Sequence, residues 1–85
     1  MSLIDFLTRV KAGQTAFAVI GDDYDTLEGI ARTATVAERS GYVLGLSIDN
    51  CKGRDTYGRP LRLRLAGLTP VGEEWLQRAQ RSKAA

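Results

Sequence analysis

Apolar positions change their spacing several times along the chain, and each change predicts an element. Leu3, Phe6, Leu7 and Val10 fall at i, i+3, i+4 and i+7, one stripe of a short helix. Ser2 is placed to cap it, Asp5 and Lys11 suit its two poles, and Gly13 is its natural stop. Phe17, Val19 and Ile20 then favour a short extended piece, ended by Gly21-Asp22-Asp23. Between Thr26 and Ser40 the helical period returns with Leu27, Ile30, Ala31, Ala34 and Ala37, and Gly41 closes the segment. Gly29 costs about 1 kcal/mol against alanine inside a helix, so the pattern leaves open whether this segment is one helix or two.

Beyond Gly41 the period drops to two. Tyr42, Leu44, Leu46 and Ile48 alternate with Val43, Gly45 and Ser47, as in a half-buried strand. Pro60 to Leu65 alternates Leu61, Leu63 and Leu65 with Arg62 and Arg64, predicting a return strand with an apolar face and an arginine face. The intervening residues 49–59 are polar, with Asn50, Gly53 and Gly58 suited to positive φ at turns. Lys52, Arg54 and Arg59, with Tyr57 among them, make this a basic and partly aromatic tip. Thr69-Pro70-Val71-Gly72-Glu73-Glu74 is a helix start: a cap, a proline at the first helical position and early acids. Val71, Trp75, Leu76 and Ala79 follow as its apolar face, and residues 80–85 are expected to fray.

Composition narrows what this α+β pattern can do. Eighty-five residues make one domain, 1–85. So short a chain buries only roughly 60–65% of its unfolded surface, which leaves room for a homodimer or a protein partner. Its longest charge-free run, Ala12 to Gly21, is half the length of a membrane span, and the first residues lack the pattern of a secretion signal. The cytoplasm is the expected location. With no histidine and one cysteine, the chain lacks the commonest general base, the Ser-His and Cys-His pairs, a disulfide and a thiolate metal site. No enzyme activity, metal or cofactor is expected. Cys51 beside Lys52 has a neighbour that lowers a thiol pKa, but without a base it reads as a small loop or strand-end residue. The cluster Asp22-Asp23-Tyr24-Asp25 lacks the central glycine and distal glutamate of a calcium loop and reads as helix capping by Asp23 or Asp25.

The net charge of +2 is unevenly spread: residues 1–50 carry four basic against seven acidic side chains, residues 51–85 eight against three. Such asymmetry points to a polyanion-facing side, or to basic residues that keep exposed strand edges from pairing. Arg32, Thr33, Thr35 and Arg39 lie off the apolar stripe of the second helical segment, where Arg and Thr can read phosphates and base edges. The bland alternative is a solvated face on which Glu38 balances Arg39.

The order helix, extended piece, helix, hairpin resembles a winged helix. Leu68-Thr69-Pro70-Val71-Gly72-Glu73-Glu74-Trp75-Leu76 is similar to the Leu-Thr-x-x-Gly-x-x-x-Leu close of many bacterial and phage winged-helix domains. Together with Glu38-Arg39-Ser40-Gly41-Tyr42-Val43-Leu44-Gly45 it resembles the YjcQ-like group in particular, over residues 37–80. The resemblance implies a small winged helix: helices, a two- to three-stranded antiparallel sheet with a basic wing, and a C-terminal helix. It also implies a regulator-like protein that binds double-stranded DNA, with helix 30–40 in the major groove and wing 49–60 on the backbone. Arg32, Thr33, Thr35, Arg39, Lys52, Arg54 and Arg59 are then the candidate contacts. The alternative is a protein-interaction or assembly module on the same fold.

Overall fold

The first helix begins where Ser2 accepts a hydrogen bond from the Asp5 amide at 3.1 Å. The computed structural model describes residues 1–54 and 58–84, with side chains as far as residue 82. Asp55, Thr56 and Tyr57 of the tip, the Lys83 side chain and Ala85 lie outside the described residues. Helix α1 spans Leu3–Lys11, strand β1 Ala16–Ala18 and helix α2 Tyr24–Arg39. Four strands follow, β2 Val43–Leu44, β3 Ser47–Asn50, β4 Pro60–Arg64 and β5 Gly67–Leu68, and helix α3 covers Pro70–Ala84. This is a small α+β domain with three helices and antiparallel strand pairing among the described residues.

Both early helices end in the same left-handed device. Gly13, at φ 104°, lets Gln14 N–H reach the Arg9 carbonyl, and Gly41, at φ 79°, lets Tyr42 N–H reach the Ala37 carbonyl at 2.8 Å. Asp23 is the residue that caps α2, accepting from the Thr26 amide at 3.2 Å and from the Thr26 hydroxyl. Its carboxyl is held below the usual range by the Thr26 hydroxyl first and the Thr26 amide second. Gly29 does not split the segment: α2 runs through it as one helix. Where a helix-turn-helix has two helices joined by a turn, residues 24–39 form one helix.

The main sheet has strand order β1-β4-β3, all antiparallel. Phe17 pairs with Leu63, and Leu63 with Ile48, so the fully buried Leu63 sits at the centre of the sheet's inner face. Around it close Phe6, Leu7 and Val10 of α1, the five predicted stripe residues of α2, and Val43, Leu65 and Leu76. Phe6 stacks on Phe17 with ring centroids 5.5 Å apart. Because β4 is the central strand, Arg62 and Arg64 do not guard an edge. They stand on the outer face, Arg62 opposite Ala18 and Asp49, Arg64 opposite Ala16 and Ser47.

The alternation predicted for Tyr42–Ile48 fails at Gly45. Its φ of 71° turns the chain, and a Cβ there would lie 3.0 Å from the Ala66 Cβ. The strand therefore divides: β2 pairs with β5 and β3 with β4. Val43 becomes buried and Leu44 is 60% exposed, the reverse of the period-two reading. Leu61 also departs from its apolar set. Asp49 pairs with Arg62 but Asn50 with Pro60, so Leu61 is the extra residue of a bulge and is exposed.

Helix α3 docks through its first turn. Thr69 donates its amide to the Tyr42 carbonyl at 2.9 Å and its hydroxyl to the Gly41 carbonyl, and accepts from the Gly72 amide at 3.0 Å. Gly72 faces the Tyr42 backbone so closely that a Cβ would stand 2.2 Å from the Tyr42 carbonyl oxygen. Val71 is thereby turned outward and exposed, against its predicted place on the apolar face. Trp75 stacks on Tyr42 at 5.1 Å, and Leu76 is fully buried. No helix among the described residues is long and apolar enough to cross a membrane.

Candidate nucleic-acid interface

Burial of Leu27, Ile30, Ala31, Ala34 and Ala37 decides what the rest of α2 presents. At about 100° per residue, Glu28, Arg32, Thr35, Val36 and Arg39 fall on one opposite face. The three alanines let α2 lie close against β4, and the hairpin base rises beside it. The result is an open groove of about 600 Å³ lined by Glu28, Ala31, Arg32, Thr35, Val36, Arg39, Gly58 and Pro60.

Charge is distributed unequally along this groove. At the N-terminal end of α2, Arg59 donates from Nε to Glu28 at 2.7 Å and from Nη2 to Asp25, and its guanidinium lies 5.2 Å from the centre of the Tyr24 ring. Glu28 first, then Asp25, hold the Arg59 guanidinium above its ordinary pKa. Arg32, one turn further on, approaches Glu28 at 3.9 Å with its side chain largely in solvent. Asp25, Arg59, Glu28 and Arg32 thus form a chain of alternating sign with no net charge. Arg39, in the last turn, is exposed and makes no ion pair among the described residues. The positive end of the groove is its C-terminal end.

Of the predicted contacts, the groove brings together Arg32, Thr35 and Arg39. Thr35 donates its hydroxyl to the Ala31 carbonyl at 2.9 Å, which leaves its methyl and an oxygen lone pair for a ligand. Thr33 is about 100° from Arg32 around the helix and outside the groove, its hydroxyl between the Gly29 and Met1 carbonyls at 3.1 and 3.0 Å. Arg59 stands at the wall with its guanidinium engaged by α2. Lys52 is exposed but lines a neighbouring cleft with Asp49, Asn50 and Arg62, and Arg54 is exposed at the tip. Glu38 makes no ion pair with Arg39 among the described residues; it accepts from the Leu46 amide at 3.0 Å, fastening the β2–β3 corner. Cys51 is buried at the hairpin base, where its amide donates to the Arg59 carbonyl at 2.7 Å and its carbonyl accepts from Gly58.

Val36 and Pro60 are groove residues that the sequence reading passes over. Val36 is 52% exposed and sits one turn from Arg32 and three residues from Arg39. Its signal was legible: an apolar residue off the buried stripe, at i+4 from a candidate contact. Pro60 needed the fold, because only strand pairing brings it beside α2. Against models of protein families, curated proteins and solved structures, the chain has no match.

Proposed function

We propose that the chain is a winged-helix domain that binds double-stranded DNA through the groove between α2 and the hairpin. The observation that carries this reading is that Arg32, Thr35, Val36 and Arg39 share one helix face and line a groove with Gly58 and Pro60 of the hairpin. A helix about 10–12 Å across fits a major groove about 12 Å wide. Arg39 and Arg32 suit guanine edges or phosphates, and Val36 and the Thr35 methyl suit a thymine methyl. Lys52 and Arg54 of the hairpin tip suit phosphates alongside. The order of helices and strands and the Thr69–Gly72 start of α3 agree with the winged-helix resemblance. The single continuous α2 is this chain's departure from it.

Fluorescence anisotropy with mixed-sequence duplexes across a salt series tests the reading. Binding in or below the ordinary non-specific range, ~10⁻⁴–10⁻⁶ M, is expected, weakened by Arg39→Gln and Arg32→Gln. Lys52→Gln should lower the slope of log K against log salt by about one. No binding tighter than ~10⁻⁴ M at low salt would sink it.

The exposed Leu44 and Val71, and the pairing of Arg59 and Arg32 with acids, favour a second reading, a protein-interaction module. Light scattering separates the two. An oligomer indifferent to salt and to DNA belongs to the second.

A further inference from the structure

Arg59, beside the proposed duplex-binding groove, is the cation that two carboxylates of α2 hold at once. Its Nε and Nη2 point at two carboxylates three residues apart on α2, and the Tyr24 ring covers one face of the guanidinium. Glu28 and Arg59 are each about one-third exposed or less, at 28% and 35% of their side-chain surface, so solvent screens this pair less than a fully exposed one. The backbone of Arg59 is also fixed. Its carbonyl accepts from Cys51, and the Cys51 carbonyl accepts from Gly58, the last two backbone bonds before the tip among the described residues. The residue whose side chain the two carboxylates hold is thus also tied by its backbone into the base of the hairpin.

We propose that Arg59 is a positioning residue: with Glu28, Asp25 and Tyr24 it clamps the hairpin tip to the N-terminal half of α2 and sets the tip's angle to the groove. This rests on reading the groove as a duplex site, since a helix in the major groove and a wing on the phosphates must be presented at a fixed spacing. Holding that spacing before binding removes an ordering cost from association. Arg59 also neutralises Glu28, which would otherwise repel phosphate from the groove wall. Of the tip's three cations, Lys52 and Arg54 are left to touch the backbone of the duplex.

Two measurements decide it. In duplex titrations over a salt series, Arg59→Gln weakens binding about three- to tenfold and leaves the salt slope unchanged, because no phosphate contact is lost. Lys52→Gln and Arg54→Gln instead lower the slope by about one each. A slope that falls by about one in Arg59→Gln with the backbone order of residues 52–54 unchanged makes Arg59 a phosphate contact and overturns the clamp. The second measurement needs no DNA. Backbone order parameters of Lys52, Gly53 and Arg54 should drop toward the flexible range, below about 0.6, in Arg59→Gln and recover in part in Arg59→Lys. Unchanged order parameters overturn the clamp even if the wild type binds no duplex, whereas absent binding with a drop in order condemns only the duplex reading.

Discussion

Adding one methyl group at Gly72 should unseat the C-terminal helix. The Cβ of Gly72→Ala would stand 2.2 Å from the Tyr42 carbonyl oxygen and 2.9 Å from its carbon, against 3.4 Å or more for an ordinary contact. Both partners are backbone, so neither can swing aside, and α3 must retreat by about 1 Å. Over-packing of this kind costs about 1–3 kcal/mol. The retreat also stretches the bonds of Thr69 to Tyr42 and Gly41, each contributing roughly 1 kcal/mol net. Alanine's better helix propensity returns at most about 1 kcal/mol. The balance is a loss of about 2–4 kcal/mol, a large share of the ~4–13 kcal/mol typical of a chain this long. Urea unfolding reads it out. With m near 1–1.5 kcal/mol per molar, the midpoint should fall by about 2 M. Trp75 is the sole tryptophan and stacks on Tyr42, so its fluorescence should change in the folded variant as well. A midpoint that holds or rises would mean that helix propensity outweighs the clash, and would refute the close approach.

Gly29→Ala is the opposite case: nothing lies within 4 Å of a Cβ there, so the variant should gain about 0.5–1 kcal/mol and several degrees in Tm, checked by thermal unfolding. Leu63→Ala, at the fully buried centre of the sheet, should lose about 2–5 kcal/mol in the same assay. Acid should weaken the fold through Asp49, whose carboxyl is held low chiefly by its hydrogen bond from Arg62 at 2.6 Å. A depressed carboxyl contributes stability above its unfolded pKa, near 3.9, and loses it as pH falls through the folded value. Asp49→Asn should therefore be less acid-sensitive than wild type below about pH 4 in urea midpoints taken from pH 6 to 2.5. Equal sensitivity would show that the Asp49–Arg62 bond does not outlast solvent screening.

Helices were the legible part of this fold, because their signals are local. Ser2, Gly13, Gly41 and Thr69 each do in the structure what their neighbours in sequence imply, and the five-residue stripe of α2 is buried as read. Strand faces were less legible for a physical reason: period two is reversed by a single irregular residue. Gly45 inverts Val43 and Leu44, and the bulge at Leu61 exposes a leucine that alternation would bury. The placement of Arg62 and Arg64 on a central strand depends on β1, which lies more than forty residues earlier and leaves no mark near them. The same holds at the candidate site. Arg32, Thr35 and Arg39 follow from helix spacing alone, whereas the capture of Arg59 by Asp25 and Glu28 joins residues about thirty positions apart. Composition showed a basic tip, but only the fold shows that one of its charges is turned back onto the helix.

Amide chemical-shift mapping during titration with a duplex tests the groove most directly. A duplex-binding groove predicts shifts concentrated at Arg32, Thr35, Val36 and Arg39 and at Lys52–Arg54, with α1 and the C-terminal half of α3 unmoved. Shifts confined to other surfaces, or none at millimolar duplex in low salt, would contradict it.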